Sequence, residues 1–192
     1  MTEKAEMRRK MLKLRSGLSS EFRTHADAAI NAALREIPQL KSAAQVGVYW
    51  SDGTEPSLDA TLTFCLNNGQ KVYAPRGCRD NGAEYEMVEI RDPAQDMVKG
   101  RYGLMEPKNN LPMAPAAQRK SMVWLIPGVA FDGCGHRLGR GKGIYDRLLN
   151  GETGCKIGIF YGFQEVSAVP VCHHDECLDI AVTENGVIQF NI

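Results

Sequence analysis

The sequence predicts an α/β domain in which a mostly parallel sheet lies between helical layers, with two helices ahead of it. Three observations predict it. A strand, a helix and a strand follow one another over residues 45–74. Segments 121–126 and 155–160 are almost free of polar residues, as strands covered on both faces are. A glycine-rich turn then runs straight into a helical segment at Ile144. At 192 residues the chain is long enough to bury a substantial core, and it reads as one domain over residues 1–192.

Met7, Met11, Leu14 and Leu18 fall on one narrow face, so residues 4–17 are expected to form an amphipathic helix. Ser19 or Ser20 caps a second helix, whose apolar positions run from Phe22 through Ala26, Ala29, Ile30, Ala33 and Leu34 to Ile37, and Pro38 stops it. Residues 45–50 read as a strand. Residues 56–68 read as a helix, with Pro56 at its start and Gly69 just past its end, and 70–74 as the next strand. Residues 84–90 alternate as a further strand. The stretch 92–120, rich in Pro, Asn, Gly and Ala, reads as a long irregular connection, a kind that is usually functional or mobile. Strands at 121–126 and 155–160 flank the helix that begins after Gly143. Residues 178–183 and 187–190, separated by Glu184-Asn185-Gly186, form a terminal hairpin. There is no internal repeat.

Lysine plus arginine equals aspartate plus glutamate at 23 each, so no global charge draws the chain to nucleic acid or to anionic membranes. No window is long enough to cross a bilayer, and residues 1–13 are polar and charged, so a cytoplasmic protein is expected. The six cysteines are scattered, several of them in apolar runs, which favours reduced thiols.

The chemistry concentrates in one place. The run 125–132 reads as a buried strand, and Arg137-Leu138-Gly139-Arg140-Gly141-Lys142-Gly143 leads from it into Ile144-Tyr145-Asp146. Glycines at alternate positions let backbone approach an anion while Arg140 and Lys142 project toward it, and the helix start offers unpaired N–H groups. A phosphate site is the first hypothesis. It is not a Walker A loop, because His136 and Gly143 stand where that pattern needs Gly and Ser or Thr. Nor does it match the dinucleotide fingerprint. The same spacing also suits a solvated surface turn. Asp146 in the first helical turn either stabilises the helix start or holds Mg²⁺ beside phosphates, and Tyr145 is either core or a stacking surface.

On the first helix Lys4, Arg8 and Arg15 share a line, either as a solvated flank or with Lys4 and Arg8 delivered to phosphate oxygens. Beyond the first strand, Tyr49-Trp50-Ser51-Asp52-Gly53-Thr54-Glu55-Pro56 sets an aromatic and a carboxylate where α/β proteins bind ligands, suiting a heteroaromatic ring with N–H donors. Tyr102-Gly103-Leu104-Met105-Glu106-Pro107 is a similar, lesser candidate. Cys172-His173-His174-Asp175 with Cys177 lacks the paired short spacings of a zinc site, and Asp175 is of more interest as a second metal carboxylate. No Ser-His-Asp pattern or nucleophile elbow appears.

Taken in order, Lys4 and Arg8, Tyr49 and Ser51 leading to Glu55, the segment 102–107, Pro127-Gly128-Val129-Ala130-Phe131-Asp132, residues 137–146, Asp175 and Val182-Thr183-Glu184 resemble the 5-formyltetrahydrofolate cyclo-ligase (methenyltetrahydrofolate synthetase) family over nearly the whole chain. The resemblance implies a three-layer α/β/α sandwich and an ATP- and Mg²⁺-dependent ligase of one-carbon metabolism, forming 5,10-methenyltetrahydrofolate, ADP and phosphate from 5-formyltetrahydrofolate. It implies that Lys4, Arg8, Arg137, Leu138, Gly139, Arg140, Gly141, Lys142, Gly143, Ile144 and Tyr145 bind ATP. Trp50, Glu55, Arg140, Gly141, Lys142, Gly143 and Ile144 would face the folate, and Asp146 and Asp175 would serve magnesium. Arg140, Lys142 and Tyr145 would be catalytic. Ile144 stands where relatives often carry a second Tyr, and Trp50 where they usually carry an aliphatic residue or Met. A monomer acting on small molecules, without nucleic acid or membrane, is expected. A non-catalytic nucleotide or folate sensor, and a sugar-phosphate isomerase or acyl-CoA transferase relative, stay open on the residues alone.

Overall fold

The computed structural model describes residues 2–78, 84–100, 104–172 and 175–191. Helices α1 (Glu3–Ser16), α2 (Ser20–Glu36) and the short α3 (Pro38–Lys41) open the chain. Strand β1 (Gln45–Gly47), helix α4 (Asp59–Asn67) and strands β2 (Lys71–Gly77) and β3 (Tyr85–Ile90) follow. Next come α5 (Pro93–Asp96), β4 (Met97–Lys99), β5 (Met105–Pro107) and α6 (Ala116–Lys120). The last part holds β6 (Val123–Pro127), β7 (Ala130–Asp132), β8 (Arg137–Leu138), α7 (Ile144–Leu149), β9 (Lys156–Ile159), β10 (Glu165–Val166), β11 (Ile180–Thr183) and β12 (Gly186–Gln189).

Seven strands form the central sheet in the order β12-β11-β9-β6-β1-β2-β3. Its interior pairings are parallel, and the outer pairs β2–β3 and β11–β12 are antiparallel, the latter being the expected terminal hairpin. From β1 the chain proceeds to β2 on one side, whereas β6 proceeds to β9 and β11 on the other. The order therefore reverses between β1 and β6, and loops leaving the carboxyl ends of those two strands must part, which opens a crevice there.

Alternation along the strands builds a core on each face. Val123 and Leu125, with Ile157 and Ile180, pack toward Ile30 and Leu34 of α2 and Leu62 of α4. Trp124 and Ile126, with Phe160, point the other way, toward Leu148 and Leu149 of α7 and Phe131 of β7. Sheet and helices thus form the layered α/β arrangement that the buried strands predict. Burying each such side chain contributes about 2 kcal/mol. No helix among the described residues is long and apolar enough to cross a membrane, and all six cysteines are free thiols.

Helix α1 packs elsewhere. Its Met11 meets Val129, Ala130, Leu138 and Val169 on a small sheet of order β10-β7-β8. Leu14 is half exposed, contrary to the expected apolar face, and Arg15 is buried beside it. The last turn of α1 reaches a polar wall at the Gly128 carbonyl, so it is a guanidinium that is wanted there.

Three other expectations change. The run 125–132 is two strands, since β6 ends at Pro127 and β7 joins the small sheet. Strand β1 stops at Gly47 and α4 starts at Asp59, three residues after Pro56. The carbonyls of Pro56 and Ser57 are taken by Tyr49 Oη at 2.6 Å and Asn31 Nδ2 at 2.7 Å, and tertiary donors here outcompete an earlier helix start. The stretch 92–120 holds α5, β4, β5 and α6, with Asp92 capping α5 by accepting from Ala94 N.

Candidate active site

The crevice at the β1/β6 reversal has a volume of about 810 Å³. Its walls come from segments distant in sequence. The loop after β1 supplies Tyr49, Trp50, Asp52 and Glu55, and the end of β6 supplies Pro127 and Gly128. Helix α1 sends in Lys4 and Arg8, residues 137–146 form one side, and Asp175 stands with Cys172 at another. The residues expected to serve ATP, folate and magnesium all line this one space: Lys4, Arg8, Trp50, Glu55, Arg137, Leu138, Gly139, Arg140, Gly141, Lys142, Gly143, Ile144, Tyr145, Asp146 and Asp175.

The alternating glycines have a steric reason that spacing alone does not reveal. A Cβ on Gly139 would lie 3.0 Å from Arg137 Nη1, one on Gly141 3.1 Å from Arg8 Cζ, and one on Gly143 3.0 Å from Arg147 Nη1. Each glycine thus leaves room for a guanidinium at the backbone. Gly141 and Gly143 also have φ of +91° and +61°, conformations that other residues rarely adopt. Arg8 Nε donates to Gly139 O at 2.9 Å, tying α1 to the loop. The helix that follows has only six residues, so its dipole adds little, and the side-chain cations supply most of the attraction for an anion.

Lys4, Arg8, Arg137 and Arg140 are each held by an acid or a carbonyl. Lys4 Nζ lies 2.6 Å from Asp175 Oδ2 and 3.4 Å from Cys172 Sγ. Burial works against the Lys4 charge, but the bonds to Asp175 and Cys172 prevail and raise its pKa. Arg137 Nη2 lies 2.6 Å from Asp146 Oδ1. Arg140 bonds Asp52 and sits 3.3 Å from Glu55 Oε1. Burial opposes the Asp52 charge too, yet bonds from Thr54 and Arg140 hold its carboxyl down at about 2. Burial wins at Glu55, pushing its carboxyl up against the pull of Arg140 and Arg15.

Tyr145 presents a buried hydroxyl without a hydrogen-bond partner among the described residues, and burial pushes that hydroxyl well above its ordinary range. A buried donor left unpaired costs about 1–3 kcal/mol, so its place in the wall of a ligand-sized crevice invites a partner from outside the chain. Asp132, Cys134 and His136 bring possible metal ligands within 4.8 Å of one another. The Asp132 carboxylate is already filled, however. It accepts from Cys134 N, His136 N, His136 Nδ1 and Val169 N, and it locks the β7–β8 turn.

Sequence reasoning missed Asp52 as a separate partner and read Arg15 as part of a charged flank, whereas Arg15 lies under the crevice against Gly128 O. It also missed the wall formed by Ala74, Pro75 and Tyr85. The i, i+7 spacing of Arg8 and Arg15 was the available signal, but it is the same for exposed and buried arginines. Leu104, Met105 and Glu106 line the crevice, while Tyr102, Gly103, His173 and His174 lie outside the described residues.

Residues 1–184 match the model of the 5-formyltetrahydrofolate cyclo-ligase family. The chain is 28% identical to the mitochondrial 5-formyltetrahydrofolate cyclo-ligase of Arabidopsis thaliana, covering 97% of this chain and 76% of that one. It is 25% identical to the 5-formyltetrahydrofolate cyclo-ligase of Haemophilus influenzae, covering 90% and 93%. The NMR structure of 5,10-methenyltetrahydrofolate synthetase from Aquifex aeolicus superposes with a TM-score of 0.86 at 30% identity, over 100% of this chain and 94% of the other.

Proposed function

The chain belongs to the 5-formyltetrahydrofolate cyclo-ligase family, and we propose that it closes 5-formyltetrahydrofolate to 5,10-methenyltetrahydrofolate with cleavage of ATP to ADP and phosphate. One observation carries the assignment of roles: the loop 137–146, the α1 cations and the Trp50–Glu55 wall meet in one crevice at the reversal of the sheet. Lys4, Arg8, Arg137, Lys142 and the backbone at 138–143 hold the triphosphate, with Ile144 and Tyr145 alongside. Trp50 and Glu55 hold the pterin, the carboxylate accepting from ring N–H donors, and Arg140, Gly141, Lys142, Gly143 and Ile144 face the folate from the other side.

The formyl oxygen of an amide-like group is a poor leaving group, which defines the chemistry required. That oxygen attacks the γ-phosphorus and ADP departs, leaving an O-phosphoryl group on the formyl carbon. N10 then attacks this carbon, the carbon–oxygen bond breaks, phosphate leaves with its electron pair, and N10 gives up its proton. No enzyme nucleophile is needed. The protein aligns the two substrates and neutralises charge on the transferring phosphoryl, a task for Arg140 and Lys142, while the Tyr145 hydroxyl, unpaired among the described residues, donates to an oxygen. The donor set also fits Mg²⁺, which takes oxygen ligands from one or two carboxylates together with substrate phosphates. Asp146 and Asp175, 25% and 17% exposed beside the loop, would hold it. When bound, the ion neutralises phosphate charge. The balanced charge of the chain supports a small-molecule enzyme, and a one-domain cytoplasmic monomer is the form proposed.

The test supplies purified protein with ATP, Mg²⁺ and substrate carrying ¹⁸O in the formyl group. Methenyl absorbance should appear, and the released phosphate should carry the heavy oxygen. Absorbance with unlabelled phosphate would refute the phosphorylation route, and neither signal from folded protein would refute the activity.

A further inference from the structure

Arg15 belongs to neither the apolar core nor the row of cations facing the crevice. Its side chain is 1% exposed. Nη1 donates to Gly128 O at 3.1 Å, at the end of the central strand, and Gln164 Nε2 donates to the same oxygen at 3.0 Å. Nη2 stands 3.6 Å from Glu55 Oε1 and 4.0 Å from Asp52 Oδ2. Nε and Nη2 make no hydrogen bond among the described residues, so donor capacity is left on a buried, anchored group facing two carboxylates. Burying a guanidinium costs several kcal/mol, and an apolar side chain of similar volume often serves stability as well. Stability is therefore a poor explanation for the arginine.

The second cation on these carboxylates differs in kind. Arg140 is 44% exposed and sits between glycines, on the side of the crevice that carries the other cations. A polyanion in the crevice competes for it, and Glu55 then keeps only what Arg15 provides. Among the described residues, the groups that act on the Glu55 carboxylate are Arg15 from α1, Asp52 and Tyr49 from its own segment, Arg140 from the loop and Tyr145 from α7. Of these, Arg15 alone is both cationic and fixed. We propose that Arg15 is a positioning residue for the reaction, the immobile counter-charge that keeps Glu55 in place and ionised for the pterin while Arg140 turns toward the phosphates. This inference rests on Glu55 being the pterin-facing group.

The experiment compares wild type, Arg15→Met and Arg15→Lys across pH, with folate and ATP varied separately. Removing the fixed charge makes Glu55 easier to protonate, so the acid limb of kcat/KM for the folate should move to higher pH by about one unit. Folate KM near neutrality should rise about tenfold, with KM for ATP changed by less than about twofold. Arg15→Lys should restore the limb. An unmoved limb, or equal losses for both substrates, would overturn the role. Should Arg15→Met fail to fold, ¹³C titration of Glu55 in Arg140→Ala decides. A carboxyl still ionised at about pH 7 supports Arg15 as its counter-charge, and one protonated there overturns it. Failure of the activity itself would show as inactive wild type, and it leaves this titration readable.

Discussion

Asp132 and Glu55 are both buried carboxylates, with side chains 4% and 9% exposed, yet they have been solved in opposite ways. Asp132 accepts four N–H bonds, three of them from backbone, and although burial opposes its charge these bonds hold its carboxyl below the ordinary value. Glu55 has two guanidiniums at 3.3 and 3.6 Å and a carboxyl that burial pushes up. A carboxylate saturated by backbone fixes a turn. One left under-coordinated in a crevice retains acceptor capacity for a ligand. Asp132 closes β7, and the chain leaves β8 for the loop whose Arg140 meets Glu55, so one short stretch connects the two carboxylates.

The contrast breaks first at the loop. Arg140→Ala and Lys142→Ala should each lower turnover about 10³-fold, roughly 4 kcal/mol of transition-state stabilisation, with thermal unfolding barely changed. If either variant instead unfolds the protein, the loop is structural and the contrast is lost. Next in size, Asp132→Ala should cost about 3 kcal/mol in denaturant unfolding, by stranding buried N–H groups, while the folded fraction keeps its activity. A normal unfolding midpoint with lost activity would reverse the roles of the two carboxylates.

Gly141→Ala sharpens the account at a smaller scale. Its φ of +91° and the 3.1 Å approach to Arg8 Cζ should cost about 1–2 kcal/mol locally and raise KM for ATP about tenfold, with folate KM nearly unchanged. The smallest effect is in acid. Asp132 is held below its unfolded pKa, so its contribution is fully present above about pH 4 and is lost as pH falls through the folded value. The stability gap between wild type and Asp132→Asn should narrow over that range, and a gap independent of pH would contradict the bonding described.

Much of this was legible in the chain. The apolar runs within β6 and β9 identified strands buried on both faces, and the alternating glycines and cations marked the loop that lines the crevice before any geometry. What stayed hidden depends on contacts across the fold. Nothing in the apolar pattern separates β6 from β7, because Val129 continues the run while Gly128 turns it. The start of α4 is set by Tyr49 and Asn31, far from any local cap. Arg15 was unreadable for a similar reason: a guanidinium seven residues from Arg8 looks the same whether it meets water or Gly128. The dipole of α7, which the glycine-to-helix pattern suggested as a main attraction, gives way to side-chain charge because the helix is so short.

The most direct measurement is a crystal structure with ADP or an unreactive ATP analogue. The account predicts phosphates against the backbone of Gly139, Gly141 and Gly143, with Arg8 and Lys142 on their oxygens. A nucleotide bound elsewhere, with this loop untouched, would contradict it.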